Sequence, residues 1–217
     1  GCSIPPYTLP DDILNKLRKQ VTKLALELNV IGLMNTQFAI KDNEIYLLEV
    51  NPRASRTAPF VSKSIGIQLA KVGALVMAGK KLKTLKINRE VVPKYFAVKE
   101  AVLPFSKFPE VDVLLGPEMK STGEVMGIGN SFGEAYFKAQ RAAGVILPKT
   151  GNVFISVRDK DKEPVCDVAE ELIKIGFNLF ATRGTQVHLE KKGIKCERIN
   201  KVKQGHPHIV DMIKNGT

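Results

Sequence analysis

The sequence predicts a chain in two parts, an α+β part followed by a parallel-sheet α/β part. A long apolar stripe at helical spacing precedes two short strand-like runs around a turn. Pro148-Lys149-Thr150-Gly151 then interrupts the pattern, which sets expected boundaries of 1–149 and 150–217. Beyond it, strand-like and helix-like runs alternate, as parallel strands joined by covering helices do.

Each element has its own reason. A helix is expected after Pro10, with Asp11 or Asp12 as cap, because Leu14, Leu17, Val21, Leu24 and Leu28 recur at spacings of three and four. Ile31 to Ile40 and Ile45 to Val50, separated by Lys41-Asp42-Asn43-Glu44, read as a β-hairpin. Asn51 to Thr57 reads as a polar, basic loop, and Ile67 to Ala78 as a buried helix closed by Gly79. Tyr95 to Leu103 reads as a strand, Pro104 to Gly129 as irregular, and Phe132 to Ala143 as a short helix. In the second part, strands are expected at Val153–Val157, Phe177–Ala181 and Ile194–Ile199. Helices are expected at Val165–Ile175, Thr185–Lys191 and Ile209–Lys214, and the pattern stops at Asn215-Gly216-Thr217.

Composition narrows the function. No apolar run reaches the roughly 18 to 20 residues that span a bilayer, so no membrane association is expected. The N-terminus lacks a signal-peptide pattern and an initiator Met, so the chain is expected to be cut from something longer. Cys2, Cys166 and Cys196 are few and far apart, which points to a reducing, cytoplasmic setting and to no zinc cluster. The net charge of +11 is spread as +8 over 1–150 and +3 over 151–217, with no Arg-rich arm and no Trp. That argues against nucleic acid and for phosphorylated small molecules.

Glu49 and Asn51, two apart on one strand, leave the same face. Gln37 lies on the partner strand. A two-residue loop at Asp42-Asn43 pairs Lys41 with Glu44 and sets Gln37 opposite Leu48. A three-residue loop, Asp42-Asn43-Glu44, pairs Lys41 with Ile45 and sets Gln37 opposite Glu49, with Asn35 opposite Asn51. Asn accepts the left-handed backbone of such loops, which favours the odd-numbered one. One carboxylate and two amide oxygens would then suit magnesium. Arg53 and Arg56 follow and could grip phosphate or carboxylate, the equipment of phosphoryl transfer. Spacing alone also fits a solvated hairpin face beside a surface loop.

A second constellation follows the later strands. Arg158-Asp159-Lys160-Asp161-Lys162, Thr182-Arg183-Gly184-Thr185 and Asn200-Lys201 fall at the carboxyl ends of strands, where open parallel sheets bind ligands. They read as an anion site, or as ordinary polar loops. His206-Pro207-His208 offers only two histidines, too few for a metal site, and His188 reads as a packed or solvated residue.

Two blocks carry a family resemblance. Leu48-Glu49-Val50-Asn51-Pro52-Arg53 resembles the hairpin end of ATP-grasp enzymes. The longer run from Glu49 to Thr57 with Pro59-Phe60-Val61-Ser62-Lys63, and the run from Leu115 to Gly127, resemble the large subunit of carbamoyl phosphate synthetase. Ala181-Thr182-Arg183-Gly184-Thr185, Asn200-Lys201-Val202 and Pro207-His208-Ile209 resemble that subunit's methylglyoxal synthase-like regulatory domain. The resemblance extends over essentially the whole chain. It implies the C-terminal part of an ATP-grasp domain, the second synthetase unit, followed by a truncated parallel-sheet α/β domain.

In such a subunit this unit phosphorylates carbamate with ATP, within a synthesis of carbamoyl phosphate from bicarbonate, glutamine-derived ammonia and ATP. That synthesis serves arginine and pyrimidine precursors. The implied metal ligands, for Mg2+ or Mn2+, are Gln37, Glu49 and Asn51. Arg53 and Arg56 would hold the carbamate or phosphate groups. Lys162, Thr182, Thr185 and Lys201 would contact the phosphate of a nucleotide monophosphate effector such as UMP or IMP. Glu100 resembles an acid of the ornithine site found in some members. A glutamine amidotransferase small subunit is the implied partner. Most of the ATP clamp would lie upstream of the hairpin, and part of the effector pocket beyond Thr217. The isolated chain is therefore expected to lack synthetase activity. A non-catalytic regulatory nucleotide-binding module is the alternative.

Overall fold

The computed structural model describes every residue except Pro109, Val111 and Thr217. Pro109 and Val111 belong to the stretch expected to be irregular, and Thr217 to the expected end of the pattern, so those positions lie outside the described residues. The chain divides into two units, Gly1–Ile146 and Leu147–Thr217.

The first unit opens with strand β1 (Cys2–Ile4), too short for its period to show in the sequence. Helix α1 (Asp11–Glu27) follows, but Pro10 occupies the N-cap and no side chain caps it. Asp11 and Asp12 instead lie in the first turn, where carboxylates offset the positive end of the helix dipole. Ile13, outside the expected stripe, is the fully buried residue of this helix. Strands β2 (Asn35–Lys41) and β3 (Glu44–Asn51) form the expected antiparallel hairpin, although β2 starts later than Ile31.

Helix α2 (Ala58–Ile65) was not expected. Pro59 signals a loop when read alone, yet it sits in the first turn, where a missing N–H costs nothing. Gly66 ends it at φ 70°, which Gly adopts without strain. Helix α3 (Leu69–Met77) is shorter than expected and largely not buried: Gly73 alone among its described residues is, and Met77 is 71% exposed. Strand β4 (Phe96–Val102) holds the centre of a sheet ordered β1-β4-β5. Strand β5 (Gly123–Gly129) corrects the expectation that Pro104 to Gly129 is irregular throughout. Its glycines hid it, and they serve packing. A Cβ on Gly127 would lie 2.1 Å from the Ala135 oxygen, and one on Gly129 2.7 Å from the Ala135 nitrogen. Helix α4 (Phe132–Ala142), capped by the Ser131 hydroxyl, therefore approaches the sheet backbone to backbone. Val98, Ala135 and Ala139 form the buried centre of that contact, flanked by Phe96 and Phe132.

The second unit alternates as expected: β6 (Gly151–Ile155), α5 (Lys162–Lys174), β7 (Phe177–Ala181), α6 (Arg183–Lys191), β8 (Glu197–Arg198) and α7 (Ile209–Asn215). Its strands are parallel in the order β6-β7-β8. Ile155, Ala169, Leu179, Ala181, Leu189, Ile194 and the thiols of Cys166 and Cys196 build its core. Among the described residues no single helix is long and apolar enough to cross a membrane; α2 and α3 meet those criteria only as a pair bent by 109°.

Candidate functional site

The hairpin turn decides what β2 and β3 present. Asp42 and Asn43, at φ 52° and 63°, form a two-residue turn, and Lys41 pairs with Glu44. The expected odd-numbered loop is therefore incorrect. Yet Gln37 does pair with Glu49 and Asn35 with Asn51, because the ladder shifts between Gln37 and Phe38 and leaves Leu48 as a bulge. The bulge has a physical reason. It places Phe38, Ile40, Ile45, Leu47 and Val50 on one face and keeps Gln37, Glu49 and Asn51 on the other. A three-residue loop without a bulge would have put Ile45 and Leu47 on the polar face.

On that polar face, Glu49 Oε1 accepts a hydrogen bond from Gln37 Nε2 at 2.6 Å and one from Asn51 Nδ2 at 2.8 Å. The donor set fits a hard cation. Turning each amide over would aim its oxygen where its nitrogen now points, giving three oxygen ligands around one point. Arg53 and Arg56 are exposed, and among the described residues neither is in an ion pair. Arg53 donates to the Ala54 carbonyl, and Arg56 to the Met119 sulfur. Arg53 also borders a groove of about 320 Å³ lined by Leu33, Ala70, Gly73 and Met77.

At the carboxyl ends of β6 and β7 a second cluster forms. Thr182 and Thr185 are buried, at 5% and 1% exposure. Thr182 shares a hydrogen bond with Ser156 Oγ at 3.1 Å, and the Val157 N–H donates to Thr185 Oγ1 at 3.3 Å. Thr182 is the N-cap residue of α6, but its hydroxyl makes no cap bond there. Lys162 Nζ reaches over Gly184, 3.3 Å from where a Cβ would stand, and pairs with Asp159 at 2.7 Å. That ammonium holds the Asp159 carboxyl below its ordinary range. Lys201 is exposed and stands after β8, its N–H bound to Gln204 Oε1. Among the described residues no hydrogen bond or ion pair joins its side chain to the other three.

Glu100 lies on β4 beside a cleft of about 450 Å³ shared with Val98, Phe132, Tyr136 and Gln140. His188 joins Glu163 at 3.2 Å, with Lys192 on the other carboxylate oxygen, which ties α6 to α5.

Comparison with known proteins bears on both clusters. The family model described as carbamoyl-phosphate synthase L chain, ATP binding domain matches residues 3–85, and the MGS-like domain model matches 164–217. The carbamoyl phosphate synthase large chain of Pseudomonas syringae pv. tomato is 59% identical over 215 residues, which cover 99% of this chain and 20% of that one. The large chain of Neisseria meningitidis serogroup A is 56% identical over 216 residues, covering 100% of this chain and 20% of that one. This chain is a homologue of part of the carbamoyl phosphate synthase large chain.

The large-chain homologue spans about a fifth of the length of these relatives. A biotin carboxylase domain of a single-chain bacterial carboxylase aligns at TM-score 0.44 and 21% identity, over 48% of this chain and 25% of that one. The hairpin cluster falls inside the ATP-binding match. Thr182, Thr185 and Lys201 fall inside the MGS-like match, and Lys162 just before it. Sequence reasoning missed Ser156, and it placed Asp159 in the run after β6 without its pairing to Lys162. Both lie in the loop that follows β6, and their only signal was that position.

Proposed function

We propose that this large-chain homologue carries the metal-binding end of a carbamate-phosphorylating ATP-grasp unit in 1–149 and part of a nucleotide effector pocket in 150–217. The observation that carries the proposal is the convergence of Gln37 and Asn51 on the Glu49 carboxylate within the ATP-binding match. Gln37, Glu49 and Asn51 would hold Mg2+ or Mn2+, which neutralises charge on the phosphates of ATP. Arg53 and Arg56 would orient the carbamate and the transferred phosphoryl group through paired hydrogen bonds. A carbamate oxygen attacks the γ-phosphorus, the bond to ADP breaks, and carbamoyl phosphate forms.

In the second cluster, Thr182, Thr185, Lys162 and Lys201 would receive the phosphate of a nucleotide monophosphate such as UMP or IMP. An incoming phosphate competes with Asp159 for Lys162. Glu100, with the cleft beside it, is the place for an ornithine-like ammonium group. The whole protein would work in the cytoplasm with a glutamine amidotransferase small subunit that supplies ammonia. The reading of the chain as a regulatory nucleotide-binding module is favoured by one contrast. Thr182 and Thr185 are buried and organised, whereas Gln37 and Glu49 are exposed.

The deciding experiment places Glu49→Ala in the complete synthase and measures ATP formation from carbamoyl phosphate and ADP. Loss of that partial reaction by more than about 100-fold, with the fold intact, supports the metal role, which supplies several kcal/mol of charge stabilisation. Activity within a few-fold of the parent's overturns it. Calorimetric titration of the 217-residue chain with Mg-ATP and with UMP separates the two readings, since a module binds UMP alone.

A further inference from the structure

His206, His208 and Asp211 bring three ligand atoms together beside α7. Two histidines are too few for a metal site in the sequence. The fold adds a carboxylate, because a helical turn returns Asp211 to the residue that precedes the helix. The ligand atoms all lie within 4.8 Å of one another. His206 Nδ1 is 2.7 Å and His208 Nδ1 3.1 Å from the same oxygen, Asp211 Oδ2. The two rings stand 4.4 Å apart.

We propose that His206, His208 and Asp211 form a binding site for a borderline-soft divalent cation of the Zn2+ class. Imidazole nitrogens with one carboxylate suit such ions and not Mg2+, which prefers oxygen alone. In a tetrahedral zinc site with bonds of about 2.0–2.1 Å, neighbouring ligand atoms stand about 3.3 Å apart. The separations of 2.7 and 3.1 Å need only a small expansion.

The ligands are also held in place. The Asp211 N–H donates to His208 Nδ1 at 3.3 Å, so that nitrogen is unprotonated and has a lone pair that a metal could take over. The His208 N–H donates to Asp211 Oδ2 at 2.8 Å and fixes the carboxylate. His208 is 7% exposed, whereas the His206 side chain is 76% exposed and opens the site to solvent. On metal binding His206 shifts its proton to Nε2, and the metal replaces the N–H at His208 Nδ1. One carboxylate and two neutral rings leave a fourth position for water.

The test uses the 217-residue chain carrying Glu49→Ala, which removes the carboxylate between Gln37 and Asn51. Titration with ZnCl2 should show one ion bound per chain, with Mg2+ unable to compete. Co2+ should give the visible bands of a nitrogen–oxygen site without a thiolate charge-transfer band. Adding His206→Ala should weaken Zn2+ binding by more than about 100-fold, beyond the loss of a merely supporting hydrogen bond. This variant leaves the contacts between His208 and Asp211 in place, and Asp211→Asn, which keeps an acceptor for the His208 N–H, should weaken binding as well. The proposal is overturned by absent stoichiometric binding, by Zn2+ affinity unchanged in His206→Ala, or by a thiolate band that assigns the ion to Cys2.

Discussion

Thr185 is 1% exposed and its Oγ1 accepts the Val157 N–H, whereas Lys201 is exposed. Both were read as phosphate contacts, but they differ as experiments. Thr185→Val leaves a half-buried N–H without its acceptor, at a cost of about 1–3 kcal/mol. Lys201→Ala removes a solvated side chain and leaves the fold intact. A lost charged hydrogen bond is worth about 1.5–3 kcal/mol, so Lys201→Ala should weaken UMP binding in the complete synthase by about 10- to 150-fold. Urea unfolding and UMP titration on the two variants separate the effects. Unchanged UMP affinity in Lys201→Ala removes that residue from the pocket. The spacing of Glu49 and Asn51 was legible because strand geometry alone puts residues two apart on one face. Asp211 was illegible as a partner of the histidines, because only the helical turn makes them neighbours.

At the scale of elements, sequence reasoning succeeded where a period was long and failed where a special residue stood for something else. Phe177–Ala181 matched its strand residue for residue, since a fully flanked apolar run leaves little choice. Gly123–Gly129 was taken as irregular because glycine weakens a strand, although here it admits α4. The α5–α6 pair carries a pH signature. Glu163 on α5 is held below its ordinary value of 4.5, chiefly by the hydrogen bond from Lys192 and less by His188. A carboxyl depressed in the folded state stabilises that state above the unfolded value, and the contribution fades as pH falls through the folded value. Thermal melts of Glu163→Gln should therefore show their largest deficit against the parent chain above pH 4.5, shrinking in stronger acid. A deficit that is constant with pH would mean that Glu163 acts by packing alone.

At the scale of the whole chain, the three thiols differ in access. Cys166 and Cys196 are buried in the core of the second unit, while Cys2 is half-buried on the edge strand of the first. Burial raises both core thiols, Cys196 to about 11, and a thiol reagent attacks the thiolate. Cys2 should label first under native conditions. The core pair should label only as fast as the second unit opens, which a denaturant series would reveal. Equal labelling rates for all three in native buffer would show that the core of the second unit is not closed. The separate fates of the cysteines were not legible in the sequence, because they depend on which face of α5 and which end of β8 each one occupies.

The Leu48 bulge also fixes how the hairpin tolerates a change in chain length. Phe38 faces Leu47 and Gln37 faces Glu49, so the ladder already runs past Leu48 without using it. Excising Leu48 would leave both partnerships in phase, at the loss of a side chain that is 63% exposed. Excising Val50 instead would leave Glu49 next to Asn51 and drive one of the two to the apolar face, whether or not the bulge is absorbed. The two deletions, equal in length and two positions apart, should diverge in hairpin stability and in metal affinity. Leu48 is thus slack built into the strand, where the chain can shorten without losing its frame.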